Sequence, residues 1–226
     1  MFEASFLLHR LMIVVPLVLS LTVHEWAHAF TARYLGDETA EREGRLTLDP
    51  TVHIDPIGTL LLPLLGIPFG WARPVPVNPA RFRRDVPMRR GMVLTAAAGP
   101  FSNAVLALLC AILSGLWVRF GHGHRSSEGV GTLLRIATMM NIGLAVFNMI
   151  PIPPLDGSRV VDGMMPARWE RAWERFCHYG RWLLLFVIVA PQVLHFSVID
   201  WPLRQMSRAA YGVVNIVAGD PQDDDD

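Results

Sequence analysis

The chain has 226 residues, 20 basic and 20 acidic side chains, 52% apolar residues and a positive mean hydropathy. A net charge of zero gives no reason to expect a nucleic-acid partner, and two cysteines, Cys110 and Cys177, are too few for a disulfide framework or a thiolate metal cluster. The balance is that of an all-α polytopic membrane protein, a single domain over residues 1–226 with a core at about 8–160 and a C-terminal helix and tail at 182–226.

The start, MFEASFLLHR, lacks the short apolar core and small-residue cleavage site of a signal peptide, so the first helix is expected to be retained. That helix runs from about Phe6 to Tyr34. Its stretch Leu11–Val23 is uncharged and leads straight into His24-Glu25-Trp26-Ala27-His28. On a helix, positions i and i+4 share a face, so two imidazoles of an H-E-x-x-H motif can grip one metal ion. The intervening Glu25 is placed to serve as general base on a water activated by that metal. A soluble helix can carry the triplet on a solvated face, but the residues on both sides here are small or apolar and leave no solvated stripe. Ionisable groups at membrane depth are costly and mark function.

After the first helix, Gly44–Pro50 (GRLTLDP) alternates apolar and polar residues and predicts a short strand. Its edge, Gly44–Leu48, would offer an unwound substrate a partner for strand addition. Pro56–Gly70 is too short to span a membrane and reads as a re-entrant or partly buried segment. The proline-rich WARPVPVNPARFRR that follows predicts an extended surface loop.

Three further long apolar stretches follow, at Met92–Val118, about Ile136–Leu155 and Trp182–Ile199, making about four spans in all. Within the first of these, Gly99, Asn103, Ala107, Ala111 and Gly115 recur every four residues and allow close helix approach, with Asn103 suited to interhelical hydrogen bonding. The third expected helix ends at Asn148-Met-Ile-Pro-Ile-Pro-Pro-Leu-Asp156-Gly157. Its prolines break the helix, and Asp156 follows the break. A catalytic zinc site needs a third protein ligand, and Asp156 supplies a carboxylate, although Asp-Gly is also a common turn pair.

Every basic residue is an arginine, and their placement predicts topology. The loops at 36–90 and 156–181 carry eight and five arginines, and the loop at 119–129 carries two. Both rich loops should face the cytoplasm, which puts His28 and Asp156 near one membrane face. His122, His124 and His195 have no metal role in this reading, His53 has a structural or accessory one, and Asp223–Asp226 reads as a solvated tail.

Taken together, HEWAH, GRLTLDP, HIDPIG, FGWARPVPVNP, AAAGPFSNAVLALL and NMIPIPPLDGSRV resemble the site-2 protease family of intramembrane zinc metalloproteases over about His24 to Val160. The resemblance implies one Zn²⁺ per chain held by His24, His28 and Asp156, with Glu25 as general base. It also implies a functional Asn148, either as a donor to the oxyanion or as a clamp on the substrate backbone. The chain matches the compact bacterial branch, with neither a PDZ insertion nor a cystathionine-synthase-like domain. The expected activity is cleavage of transmembrane or membrane-adjacent peptide bonds near the cytoplasmic face of a bacterial inner membrane. The partners are then a membrane protein or peptide substrate and the lipid bilayer. A non-proteolytic zinc scaffold is the rival reading, and a metal-ion transporter ranks below it. The retained Glu25 argues against a scaffold, and the acid- and histidine-free interior of Met92–Val118 argues against a transporter.

Overall fold

The computed structural model describes residues 2–65, 70–121, 127–194 and 200–219. The helices among them are α1 (Phe2–Tyr34), α2 (Thr39–Arg42), a wide π-helical turn at Pro56–Leu61 running into α3 (Leu62–Leu64), α4 (Met88–Phe120), α5 (Ser127–Asn148), α6 (Asp156–Met164), α7 (Glu170–His178), α8 (Gly180–Leu194) and α9 (Asp200–Ala218). Three of them, α1, α4 and α5, are long and apolar enough to cross a membrane. They pack on one another, with α6 against the start of α4 and α9 against α4 and α5.

Polarity in this bundle is turned inside out relative to a soluble protein. Along α4 the buried positions are small or polar: Thr95, Gly99, Asn103, Ala107, Ala111 and Gly115. The outward positions are large and apolar, with Phe101, Val105, Leu108 and Leu113 exposed. Lipid solvates such a face as well as a protein core would, so close approach and hydrogen bonding hold the helices together. Gly115 shows the close approach directly, since a Cβ there would stand 2.7 Å from the Val214 carbonyl oxygen of α9.

Helix ends follow local chemistry. α1 stops at Gly36, whose φ of +110° is strained for any residue with a side chain, and the Asp37 N–H turns back to Ala32 O at 2.9 Å. α5 stops at Asn148, short of the expected Leu155, because Pro151, Pro153 and Pro154 lack the N–H groups that would extend it. The expected fourth span is corrected too. α8 has 15 residues, fewer than the roughly 20 a bilayer requires, and residues 195–199 of that stretch lie outside the described residues.

There is no strand among the described residues, so the one expected at Gly44–Leu48 is not formed. The Arg45 N–H is taken by Ala40 O at 2.8 Å as a helix-end bond, and Gly44 adopts a φ of +67°. The alternation in the sequence has another cause: Arg45 points inward, buried to 6% exposure, and Leu46 packs against Ala29, Ala40 and Val75. The Pro56–Gly70 segment begins as helix and is described to residue 65; residues 66–69 lie outside the description.

The segment Gly70–Asn78 is extended, as its prolines dictate, with Trp71, Arg73 and Pro74 exposed and Ala72 and Val75 turned inward. It lies as a strap across the bundle, with Ala72 packed against Leu17, Leu21, Met140 and Leu144, and Val75 in the cluster around Ala29. Polar ties hold it there. Arg73 N–H donates to His53 O at 2.8 Å, and Asn78 N–H donates to the buried carboxylate of Asp37 at 2.6 Å. The Arg45 guanidinium donates to the carbonyls of Val52, of Arg73 at 2.5 Å and of Pro74 at 3.2 Å. Burial and the nearby Arg73 charge push the Arg45 guanidinium down from its ordinary value, yet an arginine stays charged and keeps all its donors.

Arg45→Met would leave those three carbonyls without their donor. It should lower the apparent melting temperature in detergent by about 5–10 °C. Arg45→Lys should recover only part of that, because one ammonium cannot reproduce a fork spanning two chain segments. An unchanged melting curve for Arg45→Met would refute the clamp.

Candidate metal centre

His24 and His28 face the bundle interior from α1, one turn apart, and Asp156 meets them as the first residue of α6. The Nε2 atoms of the two histidines are 3.1 Å apart, and each lies 3.1–3.2 Å from Asp156 Oδ2. All three residues are buried. Four ligands at about 2.0–2.1 Å around a tetrahedral zinc stand roughly 3.3 Å from one another, so this triangle has the dimensions of one face of such a site.

Hydrogen bonding decides what the triangle contains. His28 Nδ1 is 2.7 Å from the Thr95 carbonyl, which only accepts, so that nitrogen carries the proton. His24 Nδ1 is 2.6 Å from Asn103 Oδ1. The Asn103 amide group is already committed as donor to Ser20 O at 3.2 Å and Asn141 Oδ1 at 2.8 Å, which leaves its oxygen as the acceptor from His24. In the neutral rings both Nε2 atoms therefore present lone pairs, toward each other and toward a carboxylate oxygen. Three acceptors converging at 3.1–3.2 Å repel one another unless a proton or a metal cation lies among them. The donor set fits a divalent metal of the zinc type.

The surroundings make room for it. A Cβ on Gly99 of α4 would stand 2.6 Å from His24 Nε2 and closer still to His28 Nε2, so the helix can pass the ligand atoms only as glycine. Gly157 does the same for the turn that delivers Asp156, since a Cβ there would collide with the main chain of Met149 and Ile150. The Asp156-Gly157 pair is thus not a turn of its own. The turn spans the residues before it, and Asp156 opens a helix whose N-terminal end favours its negative charge.

Glu25 sits in the same cavity, with Oε2 accepting from the Val75 N–H of the strap at 2.9 Å. The cavity has a volume of about 500 Å³ and is walled by α1, α4, α5, α6, α8 and the strap. Asn148 lines it and is half-buried, one amide hydrogen donating to Leu144 O at 3.0 Å. His53 lies outside the lining and donates its ring N–H to Thr47 O at 3.0 Å, a structural bond. His122, His124 and His195 lie outside the described residues. The expected interhelical hydrogen bonding of Asn103 is formed, to Ser20 O and Asn141 Oδ1, and the sequence did not reveal that its oxygen meets His24. Sequence reasoning also missed Thr95, which acts through a carbonyl that any residue possesses, and Ser20 and Asn141, which complete the network at 2.8 Å.

Residues 113–190 match the model of peptidase family M50. The chain is 37% identical over 198 residues to the Bacillus subtilis protein named "Putative zinc metalloprotease YwhC", covering 87% of each. It is 28% and 30% identical to proteins named "Putative zinc metalloprotease Rip2" from Mycolicibacterium smegmatis and Mycobacterium tuberculosis, covering 84% of this chain and 72% of each relative. No solved structure matches the chain.

Loss of the Asn103 acceptor should loosen metal binding without touching a ligand. Asn103→Leu is expected to weaken zinc affinity about 10–100-fold in competition with a chelator. Gly99→Val should give protein that purifies with little or no zinc. Wild-type affinity in Asn103→Leu would dissociate the network from the centre.

Proposed function

The chain belongs to peptidase family M50, the site-2 protease family, and from that premise we propose that this zinc metalloprotease cleaves peptide bonds of transmembrane or membrane-adjacent segments near the cytoplasmic face of a bacterial inner membrane. The observation that carries the reading is the convergence of three lone-pair donors beside a carboxylate, inside a cavity between membrane-length helices. The arginine asymmetry of the loops supports the side of the membrane.

His24 and His28 would hold zinc through Nε2, and Asp156 through its carboxylate. When bound, zinc supplies Lewis acidity that polarises the scissile carbonyl and lowers the pKa of water. Asn103 and the Thr95 carbonyl keep the Nδ1 protons in place, so the imidazoles stay oriented with their lone pairs inward. Glu25 has one oxygen occupied by the Val75 N–H, which leaves Oε1 to take a proton from the attacking water and return it to the departing nitrogen. The second amide hydrogen of Asn148 is available to the cavity, either for the charge developing on the carbonyl oxygen or for the substrate backbone.

A substrate helix must unwind before its carbonyls can react. The extended backbone beside the cavity is Trp71–Val77, and an unwound segment would run along this wall in place of the Gly44–Leu48 edge. The apolar remainder of the wall, including Leu21, Leu144, Phe147 and Leu184, keeps bulk water from the reacting groups.

Glu25→Gln separates catalysis from metal binding. Incubated in detergent with a panel of single-span membrane proteins, wild type should cleave at least one, and Glu25→Gln should cleave it at least about 100-fold more slowly. Both proteins should retain one zinc per chain by elemental analysis. Equal rates would remove Glu25 from the mechanism, and absence of zinc from both would remove the metal centre.

A further inference from the structure

We propose that Arg159 and Arg181 form a carboxylate-binding subsite at the rim of the catalytic cavity, selecting substrates with an aspartate or glutamate close to the cleaved bond. The proposal rests on the protease reading above and names a feature of its substrate.

Both arginines line the cavity that holds Glu25 and the metal centre. Arg159 follows Asp156 by three residues on α6, which places the two side chains on one face with Cβ atoms roughly 5–6 Å apart. Arg181 is the second residue of α8, and the start of α8 is locked to the turn that delivers Asp156. A Cβ on Gly180 would stand 2.8 Å from Pro153 Cβ and 2.9 Å from Pro153 O, so nothing larger than glycine allows this approach. One structural unit thus carries a metal ligand and both guanidiniums.

Neither guanidinium is paired with the two carboxylates that share the cavity. Asp156 is engaged with His24 and His28, and Glu25 with the Val75 N–H. Arg33, Arg42 and Arg89 have acidic partners, and Arg45 sits among carbonyls. Among the described residues neither Arg159 nor Arg181 has an ion-pair or hydrogen-bond partner. Both arginines are solvent-exposed where they line the cavity, within reach of an entering chain, and most of the remaining wall is apolar. Guanidinium forks match a carboxylate in two-point geometry. An extended substrate advances about 3.3 Å per residue, so its acidic side chain would lie roughly one to three residues from the bond cut beside Asp156.

The test uses full-length protein in neutral detergent and a peptide series around one cleaved bond, with Glu, Gln or Lys moved one position at a time. Wild type should prefer Glu over Gln at one position by about tenfold or more in kcat/KM. The ratio should fall toward one in Arg159→Gln/Arg181→Gln, and Arg159→Glu should shift the preference toward Lys. Arg175→Gln, exposed on α7 and outside the cavity lining, should keep the wild-type ratio. The same peptides are titrated by fluorescence anisotropy against Glu25→Gln protein. Hydrolysis with no Glu preference, or with a preference indifferent to both arginines, overturns the subsite and leaves the protease reading standing. Tighter Glu-peptide binding that depends on the arginines, with no peptide hydrolysed, upholds the subsite and overturns the protease reading. Loss of binding to anionic vesicles in the double variant, with an unchanged peptide ratio, assigns the arginines to the membrane surface and also overturns the proposal.

Discussion

Three lone pairs pointing at one another inside an apolar bundle form the constraint on which the rest of this structure turns. His24 Nε2, His28 Nε2 and Asp156 Oδ2 lie within 3.1–3.2 Å of one another, an arrangement that repels itself without a cation. Much of the surrounding architecture serves to bring them there. Gly99 lets α4 pass the imidazoles, Gly157 lets the proline turn fold back on α6, and Asn103 and Thr95 hold the rings in a single tautomer. Each of these is a clearance or a hydrogen bond that turns the three acceptors toward one point.

In a lipid solvent that placement has a second consequence. Burying Ser20, Asn103 and Asn141 between α1, α4 and α5 is costly for each group alone, yet together they satisfy one another. Interhelical hydrogen bonds of this kind contribute about 0.6–2 kcal/mol each in membranes, where the apolar effect no longer draws helices together. The network that orients His24 therefore also joins the three long helices. Stability and ligand geometry share the same atoms.

The strap joins the soluble-facing part of the chain to the chemistry. Pro74 and Pro76 keep it extended and carry no backbone N–H donor. Arg45 and Asp37 hold it from the loop side, and its Val75 N–H reaches Glu25. A charged residue in a stretch that looked like a strand thus holds, through two carbonyls, the strap whose Val75 N–H meets Glu25.

Local spacing carried most of the candidate site. The i, i+4 histidines and the intervening glutamate are properties of adjacent residues that helix geometry turns into positions, while Asp156 was singled out by its place after a proline break and by the family resemblance. The long apolar stretches and the small-residue stripe of α4 were legible for the same reason. Where local pattern and long-range contact disagreed, the sequence misled. The alternation at Gly44–Leu48 reflects an arginine turned inward to distant carbonyls, and the Trp182–Ile199 stretch is apolar without forming a described helix of spanning length. By itself the sequence picked out the candidate metal-site residues and the three stretches that form helices long enough to cross a membrane, together with a fourth that does not. Only the tertiary structure decided that Asn103 belongs to His24, that Val75 belongs to Glu25, and that Arg159 and Arg181 share a cavity. Those pairings span 79, 50 and 22 positions, and no local rule reports on contacts that depend on how helices pack.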